Sequence, residues 1–476
     1  MKILKNYVFN SLYQILIMFL PLVTAPYISR VLGPEGVGIN TFTATVVGYF
    51  VLIATLGTST YGNREIAYHQ NNIEKRSQAF WGITLLSWIT SFITFFIFLF
   101  FLFFVKEYKI LYLWQGVAIL TTMFDVSWYF VGIENFKIIV TRNFIIKIIT
   151  VASVFIFVKS QNDLLLYIII TVIGGLLGSL SLWPYLIKQV RKPNFKDLRF
   201  IHHFKYSLAL FLPTIASSIY SIGQKNLIGI LDSVVHAGFF YQSDTVIRLA
   251  ISLISSVGTV MLPRISNMKS EGKFDEIREF IVRDFNLVIG LAMGISFGVM
   301  GISLNFAPFF WGESFEMVGK IMMVESPMAL LISSTYIFNS HYFVPMDKIK
   351  MYTTTTVIGT VANIVLNLIL IPLFGVIGAT VVALITEFLI ASVQYYYLQK
   401  ELKLQGLMTG LWKYFISGLI MFSVVFWMNQ SFKMTMIQLI LQIVVGMFIY
   451  VTFNILLRTQ LWIIVSLVLR KIKKVY

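Results

Sequence analysis

The sequence predicts an all-α membrane protein with fourteen transmembrane helices, and three observations support this fold class. Hydrophobic residues form 58% of the 476 positions and charged residues only 12%, with a mean hydropathy of +0.82. A soluble core cannot bury so much apolar surface. Fourteen apolar stretches each approach the roughly 20 residues that a membrane crossing needs. Positive charge is concentrated in every second gap between them.

The predicted crossings follow one another along nearly the whole chain. The first comes after Lys2 and Lys5, but its apolar stretch is too long for a signal peptide and has no small-residue cleavage site, so we expect a retained helix. The predicted helices lie near residues 8–32, 37–62, 78–105, 109–133, 140–158, 164–187, 204–230, 238–261, 280–305, 317–342, 351–371, 375–398, 409–428 and 434–457.

Basic residues predict the orientation of these helices, because cytoplasmic loops of membrane proteins carry an excess of Lys and Arg. With the N-terminus inside, 29 of the 37 basic residues lie in cytoplasmic gaps and six in outer gaps. Both termini are therefore predicted in the cytoplasm, and the chain in the bacterial cytoplasmic (inner) membrane. The net charge of +16 is spread over short segments next to membrane lipids, which argues against nucleic acid as a partner.

An offset of 200 residues indicates an internal repeat. Gly38 meets Gly238 at the start of a helix, and Arg64 meets Arg264 at the start of a cytoplasmic loop. The offset spans six predicted helices, an even number, so the two halves would share one orientation in a pseudo-two-fold arrangement. Two six-helix lobes would leave an axial cleft that rocking opens to each side in turn, as in a transporter. The predicted divisions are an N-terminal lobe at 1–188 with helices one to six, a basic linker at 189–203, a C-terminal lobe at 204–400 with helices seven to twelve, and two further helices with a basic tail at 401–476.

Three charged residues within predicted helices seven and eight form the main candidate site. A charge inside the membrane costs about 2.5–3.5 kcal/mol on insertion scales, so it usually faces a polar cavity or a partner. Lys225 and Asp244 are predicted at one depth, roughly 9 Å below the outer surface at 1.5 Å per residue, with Arg248 one turn deeper. Two interpretations are open: a self-neutralising network that pins two helices, or a surplus of positive charge that binds an anionic ligand. We favour the second.

Basic residues at three helix ends are further candidates for substrate binding. Arg30 either extends to the outer headgroups or continues the cationic path toward the outside. Arg64 and Arg142, at predicted cytoplasmic helix ends, either anchor the topology or guide a phosphate at the entrance.

Acidic residues inside the predicted helices are candidates for ion coupling. Asp125 in the fourth helix and Glu387 in the twelfth either form structural hydrogen bonds or bind a proton or sodium ion. Asp244 is the third candidate.

Proline residues predict bends within several of the helices. They are Pro21 and Pro26 in the first helix, Pro213 in the seventh and Pro327 in the tenth. Their recurrence in the helices that open each lobe slightly favours a hinge.

Catalytic motifs are absent from the sequence, which predicts a transporter rather than an enzyme. The five histidines lack metal-ligand spacing, and the chain has no cysteine. No Gly-rich loop ends in Gly-Lys-Ser or Gly-Lys-Thr, so we do not expect ATP hydrolysis. The outer gaps are too short for an external active site. We therefore expect no cofactor or metal, with a proton or sodium gradient as the energy source.

Five stretches of the chain carry a resemblance to a known family. They are TAPYISRVLGPEGVG (24–38), LGTSTYGNREIA (56–67), WYFVGIENFK with TRN (128–143), LPRIS (262–266) and NIVLNLILIPLFGVIGA (363–379). In this order and spacing they resemble the Wzx-type flippases of the multidrug/oligosaccharidyl-lipid/polysaccharide (MOP) exporter superfamily. The resemblance covers nearly all of the chain.

The resemblance implies a two-lobed, fourteen-helix flippase that moves an undecaprenyl-pyrophosphate-linked oligosaccharide from the inner to the outer leaflet, driven by an ion gradient. In that case Lys225, Arg248 and Arg30 would pair with the pyrophosphate. Family members often carry an acid just before the lysine of the seventh helix, where this chain has Gln224.

The sequence is compatible with three functions. The leading hypothesis is export of repeat units for capsule or a similar surface polysaccharide, with a polymerase and glycosyltransferases as partners. A teichoic acid precursor or drug exporter of the same fold is the alternative, and a membrane glycan polymerase is disfavoured by the short outer gaps.

Overall fold

The computed structural model describes residues 2–187, 189–192, 198–259, 262–404 and 406–463, and all regular structure in these ranges is helical. The chain divides into two compact units, Met1–Gly229 and Ile230–Tyr476. The centre of the predicted linker and the basic tail after residue 463 lie outside the described residues. The predicted limits of the lobes stay a prediction.

The first unit contains nine helices and nearly all of a tenth. They are α1 (Lys2–Thr55), α2 (Thr58–Tyr68), α3 (Ile73–Phe104), α4 (Lys109–Gln115), α5 (Val117–Phe124), α6 (Ser127–Gly132), α7 (Phe136–Phe157), α8 (Leu164–Leu180), α9 (Trp183–Ile187) and α10 (Phe200–Leu231).

The second unit continues with eight helices and a π-helical turn at Asn339–Phe343. The helices are α11 (Val234–Thr259), α12 (Leu262–Ser270), α13 (Phe274–Trp311), α14 (Glu316–Glu325), α15 (Met328–Phe338), α16 (Ile349–Leu402), α17 (Leu411–Ser431) and α18 (Met436–Leu456).

Within the described ranges, nine helical segments are long and apolar enough to cross a membrane, or ten if the bent pair α14–α15 is one crossing. Two of the nine are too long for one crossing, namely Val23–Tyr68 with 46 residues and Ile349–Leu402 with 54. At 1.5 Å per residue, 54 residues span about 80 Å, whereas the bilayer core is about 30 Å thick. Each contains a glycine with a non-helical backbone, Gly33 in α1 and Gly375 in α16.

The two arms of α16 fold back on each other at Gly375. Asn363 Nδ2 donates to Thr386 Oγ1 at 3.1 Å, and Gln394 Nε2 donates to Thr355 Oγ1 at 3.1 Å. Because both pairs lie nearly symmetrically about Gly375, the arms form an antiparallel hairpin. These arms correspond to the crossings predicted at 351–371 and 375–398.

Gly375 is required at this fold-back point for two reasons. Its φ of 57° lies in the left-handed region, which side chains with a Cβ disfavour. A Cβ placed there would stand 2.9 Å from Oδ2 of Asp232, at the turn between α10 and α11.

Besides the bent tenth crossing, three predicted crossings contain a local break in the helix, and each still lies within a segment that is long and apolar enough to cross a membrane. The crossing at 37–62 breaks at Gly57, whose φ is 72° and whose Cβ position lies 2.8 Å from the carbonyl oxygen of Ser207. The crossing at 109–133 divides into α4, α5 and α6. The crossing at 164–187 breaks after Leu180, because Pro184 cannot donate a backbone hydrogen bond to continue the ladder.

The tenth predicted helix bends where proline predicted it. The pair that contains α14 and α15 is bent by 46°, and Pro327 caps the start of α15. In α1 the helical backbone continues through Pro26 and departs from helical geometry at Gly33. The side chains of Pro21 and Pro213 lie outside the described residues.

Gaps predicted to lie on one side of the membrane meet each other in the first unit. At one end, Arg76 Nη2 donates to the carbonyl of Gln189 at 3.2 Å, and Trp81 Nε1 to that of Arg191 at 2.8 Å. At the other end, Tyr27 Oη donates to the carbonyl of Val158 at 2.7 Å. These contacts join helix ends at each end of the unit, and which end faces the cytoplasm stays a prediction.

The second unit has similar contacts at each of its ends. At one end Lys269 Nζ donates to the carbonyl of Pro345 at 3.0 Å, and Lys348 pairs with Glu401 at 3.1 Å. At the other end the rings of Phe239 and Phe315 stand 5.5 Å apart.

Helix α3 shows how the sequence positions its faces in lipid. Phe92, Phe96, Phe100 and Phe103 are exposed on one side, whereas smaller polar residues such as Ser91 are buried. In hydrocarbon no hydrophobic force draws large apolar side chains inward, so small and hydrogen-bonding residues occupy the helix contacts.

Candidate functional site

The predicted site residues are divided between the two units. The first unit contains Arg30, Arg64, Asp125, Arg142 and Lys225, and the second contains Asp244, Arg248 and Glu387.

Asp244 and Arg248 form an ion pair on one face of α11. Arg248 Nε stands 2.7 Å from Asp244 Oδ1, the two residues being one helical turn apart. Asp244 is 3% exposed, whereas 46% of the Arg248 side chain is exposed. Arg248 therefore neutralises the charge of the buried Asp244 carboxylate, while part of the arginine side chain stays accessible to a ligand. The part of the predicted network that involves Lys225 links the two units and stays a prediction.

Glu325 is a buried acid that the sequence reasoning missed. It is 0% exposed at the end of α14, directly before the bend at Pro327, and its Oε2 accepts a hydrogen bond from Ser243 Oγ. Ser243 directly precedes the buried Asp244 on α11, a helix that packs against α14. An acid inside an apolar stretch next to a helix-breaking proline is the sequence signal that identifies it.

Glu387 lies on the second arm of α16 and is 8% exposed. Its neighbour Thr386 belongs to the polar contact between the arms. Asn367 Nδ2 extends that contact by donating to Asn363 Oδ1 at 2.8 Å. Glu387 is thus buried next to hydrogen-bonding groups, as expected for an acid at membrane depth.

Lys225 lies on α10 between two buried amides, Gln224 and Asn226, and is itself half-buried. Asn226 Oδ1 accepts a hydrogen bond from Thr45 Oγ1 at 2.8 Å, which joins α10 to α1. Gly229 lies one turn further, where Phe42 of α1 packs against its bare backbone. These contacts fix the segment of α10 that carries the lysine.

Arg30, Arg64 and Arg142 occupy three different surroundings. Arg30 is exposed near the Gly33 break of α1. Arg64 is exposed on α2, with its guanidinium carbon 5.7 Å from the ring centre of Tyr68. Arg142 is half-buried on α7 and lines a pocket.

Asp125 has a local structural role at the start of α6. Its Oδ1 accepts from the backbone N–H of Ser127 at 2.9 Å, and its Oδ2 accepts from Ser127 Oγ at 3.1 Å. The Asp125 carbonyl also accepts from Trp128 Nε1 at 3.1 Å. This Asx turn explains why the crossing predicted at 109–133 breaks here.

A second cationic feature that the sequence reasoning missed lies at one end of the second unit. The guanidinium carbons of Arg264 and Arg283 stand 5.2 and 4.9 Å from the ring centre of the buried Phe280. Asp284 stands 3.6 Å from Arg283 and 3.2 Å from Nε2 of the buried His341. One ring thus holds two exposed arginines, an arrangement that their sequence spacing did not reveal.

Across the described part of the chain, no group of three or more histidine, aspartate or glutamate residues is placed to hold a metal ion.

Comparison with known proteins gives a consistent result. A family described as polysaccharide biosynthesis protein matches residues 3–269. A putative O-antigen transporter of Escherichia coli is 23% identical over 400 residues, 82% of this chain and 94% of that protein. A probable low-salt glycan biosynthesis flippase of Haloferax volcanii is 24% identical over 319 residues, 66% of each protein.

Solved structures share the fold at low sequence identity. The lipid II flippase MurJ in an inward closed conformation aligns with a TM-score of 0.76 and 16% identity over 95% of this chain and 99% of that one. An inward-facing multidrug resistance MATE family transporter of the MOP superfamily aligns with a TM-score of 0.59 and 15% identity, covering 83% of this chain and 96% of that one.

Proposed function

We propose that this chain, which belongs to the polysaccharide biosynthesis protein family, flips undecaprenyl-pyrophosphate-linked oligosaccharide units across the membrane by alternating access. It is a Wzx-type flippase of the MOP superfamily, a multi-pass inner-membrane transporter rather than an enzyme. The observation that carries the proposal is the family match over residues 3–269, joined by an O-antigen transporter that aligns over 94% of its length. We propose capsule or a similar surface polymer as the destination, with a polymerase and glycosyltransferases as partners.

Fourteen crossings, with both termini in the cytoplasm, are the topology that we propose. The ten candidate crossings become twelve when the two overlong segments are each divided at their glycine. Helices α10 and α11, with 32 and 26 residues, supply the other two. The distribution of basic residues supports this topology.

Cationic side chains would bind the pyrophosphate. Lys225 is the principal group in our proposal, because the packing of α10 on α1 fixes its segment of helix. Arg248 would bind the pyrophosphate through the exposed part of its guanidinium, while its Nε stays paired with Asp244. Arg30 would extend the path outward. A pyrophosphate binds such donors strongly because both partners carry charge.

Buried acids of the second unit would couple transport to an ion gradient. We propose that one of the buried acids Asp244, Glu387 and Glu325 binds a proton or sodium ion. Glu325 is our preferred coupling residue because it lies next to the 46° bend between α14 and α15. A change in its charge there would alter the position of one helix relative to the other. Asp125 is better explained by the α6 turn.

Reconstitution tests the proposal. The purified chain would be placed in vesicles that contain a fluorescent undecaprenyl-pyrophosphate-linked oligosaccharide, and the fraction that reacts with an external sugar-modifying reagent would be measured with and without a pH or sodium gradient. We expect gradient-dependent exposure that Lys225→Ala abolishes and that Lys433→Ala, a matched lysine in an outer gap, leaves intact. Exposure equal to that in protein-free vesicles would refute it, and exposure of a drug or teichoic acid precursor alone would favour the alternative exporters.

A further inference from the structure

A pocket of about 450 Å³ opens in the first unit between α7 and the α8–α9 segment. Its lining combines two cations, Lys137 and Arg142, with three hydroxyl groups and three isoleucines. None of the residues described as lining it is acidic or carries an amide. The pocket therefore offers positive charge and hydrogen-bond donors without the groups that usually bind sugar hydroxyls.

The position of Arg142 depends on a glycine. A Cβ at Gly178 of α8 would stand 3.1 Å from Nη1 of Arg142, so the missing side chain lets the guanidinium lie against the helix backbone. Arg142 is half-buried, whereas Lys137, in the first turn of α7, is exposed. One cation is thus held in the pocket and the other stands at its mouth.

The rest of the lining matches an amphiphile. Thr141, Ser181 and Tyr185 supply hydroxyl donors near the cations. Ile145 lines the pocket and is 50% exposed, so the pocket has an apolar wall that is accessible from outside. The volume lies within the roughly 300–1,000 Å³ that is typical of small-ligand sites.

We propose that this pocket binds the headgroup of an anionic phospholipid, with an acyl chain lying along Ile145. Basic pockets between transmembrane helices are a known means of binding such headgroups. A bulk phospholipid is favoured over the transported lipid because the lining includes the half-exposed Ile145 and lacks the amides and carboxylates that usually bind sugars. Neither Lys225 nor Arg248 lines this pocket, and its occupant would tie α7 to α9.

The test uses the full chain in nanodiscs of neutral phosphatidylcholine with increasing phosphatidylglycerol. Bound lipid would be counted by native mass spectrometry, and thermal unfolding would be followed in parallel. We expect phosphatidylglycerol to bind and raise the Tm of the wild type. The double variant Lys137→Gln/Arg142→Gln should bind it roughly 30-fold more weakly, equivalent to about 2 kcal/mol for two basic groups.

The matched control is Lys75→Gln/Lys147→Gln, which removes two exposed cations of the same unit outside the pocket. It should retain the lipid effect. If Arg142→Gln prevents folding, the single variant Lys137→Gln on the exposed residue should still weaken binding, and Arg142→Lys should retain part of it.

Three outcomes would overturn the proposal. Equal phosphatidylglycerol binding by the pocket and control doubles would show that the lipid binds elsewhere. The same Tm rise with free inorganic phosphate would show a simple anion site. Binding of an undecaprenyl-pyrophosphate-linked sugar that depends on Lys137 and Arg142, without phosphatidylglycerol binding, would make the pocket a substrate site. A loss of transport by Lys225→Ala leaves these results unaffected, so the two proposals fail separately.

Discussion

Replacing Arg248 with alanine separates the two interpretations of the charges on α11. The variant leaves Asp244, which is 3% exposed, without the guanidinium at 2.7 Å. Removing one partner of a buried ion pair costs about 3–5 kcal/mol, and of a surface pair about 0.2–1 kcal/mol. Because the arginine itself is 46% exposed, we expect a loss near 2 kcal/mol.

The reverse variant, Asp244→Ala, should cost less, about 1 kcal/mol, because the arginine that remains is partly solvated. The double variant should be more stable than Arg248→Ala, since the buried carboxylate is removed together with the guanidinium. Thermal unfolding in one detergent measures these differences. Asp275→Ala and Arg278→Ala remove an exposed pair that is 2.8 Å apart, and these controls should change stability little.

Export of surface polymer by the same variants gives the decisive result. If Arg248 serves only to neutralise Asp244, the double variant should export as well as the wild type once protein levels are matched. If Arg248 binds the pyrophosphate, the double variant should fold but fail to export, while Asp244→Ala, which keeps the arginine, still exports. Failure of both variants would instead assign the loss to ion coupling by Asp244. Wild-type export by the double variant would refute our assignment of Arg248 as a substrate ligand.

Three further predictions follow from named residues. Lys225→Ala should abolish export at unchanged protein level because a cation for the pyrophosphate is lost, while Lys225→Arg should retain part of the export. Export is measured as surface polymer, and normal export by Lys225→Ala would contradict the assignment. Gly375→Ala should destabilise the fold by about 1–3 kcal/mol, because alanine is strained at a positive φ and its Cβ would contact Asp232. The control Gly272→Ala should cost less, because Gly272 has a φ of 71° but open surroundings. Equal losses of Tm in the two variants would argue against the contact with Asp232. Glu325→Gln should preserve folding but remove the gradient dependence of flipping in vesicles, and unchanged dependence would exclude Glu325 as the coupling group.

Much of the fold follows from hydropathy and charge, because membrane helices must be long, apolar and internally hydrogen-bonded. This explains why the arms of α16 and the bend at Pro327 agree with expectation. The break at Gly57 was not predicted, because it depends on close approach to Ser207, which lies far away in sequence. The Asx turn at Asp125 is local, but the apolar stretch around it continues without interruption.

The site was predicted only where its partners are close in sequence. Asp244 and Arg248 are four residues apart, so helix geometry places them together. Glu325 was missed although it lies in an apolar stretch, and its partner Ser243, 82 positions away, could not be predicted from the sequence. Arg264 and Arg283 meet at Phe280 only after α12 and α13 have packed.

The paired amides of the α16 hairpin constrain how this part of the chain is made. Asn363, Asn367 and Gln394 are each fully or almost fully buried, and each donates to a polar group within the hairpin. The first arm alone would present the Asn363 amide to hydrocarbon during synthesis, and the second arm alone the Gln394 amide, at a cost of several kcal/mol per unsatisfied group, whereas Asn367 donates within the first arm. We therefore expect the two arms to pair before they leave the insertion machinery and to enter the lipid together.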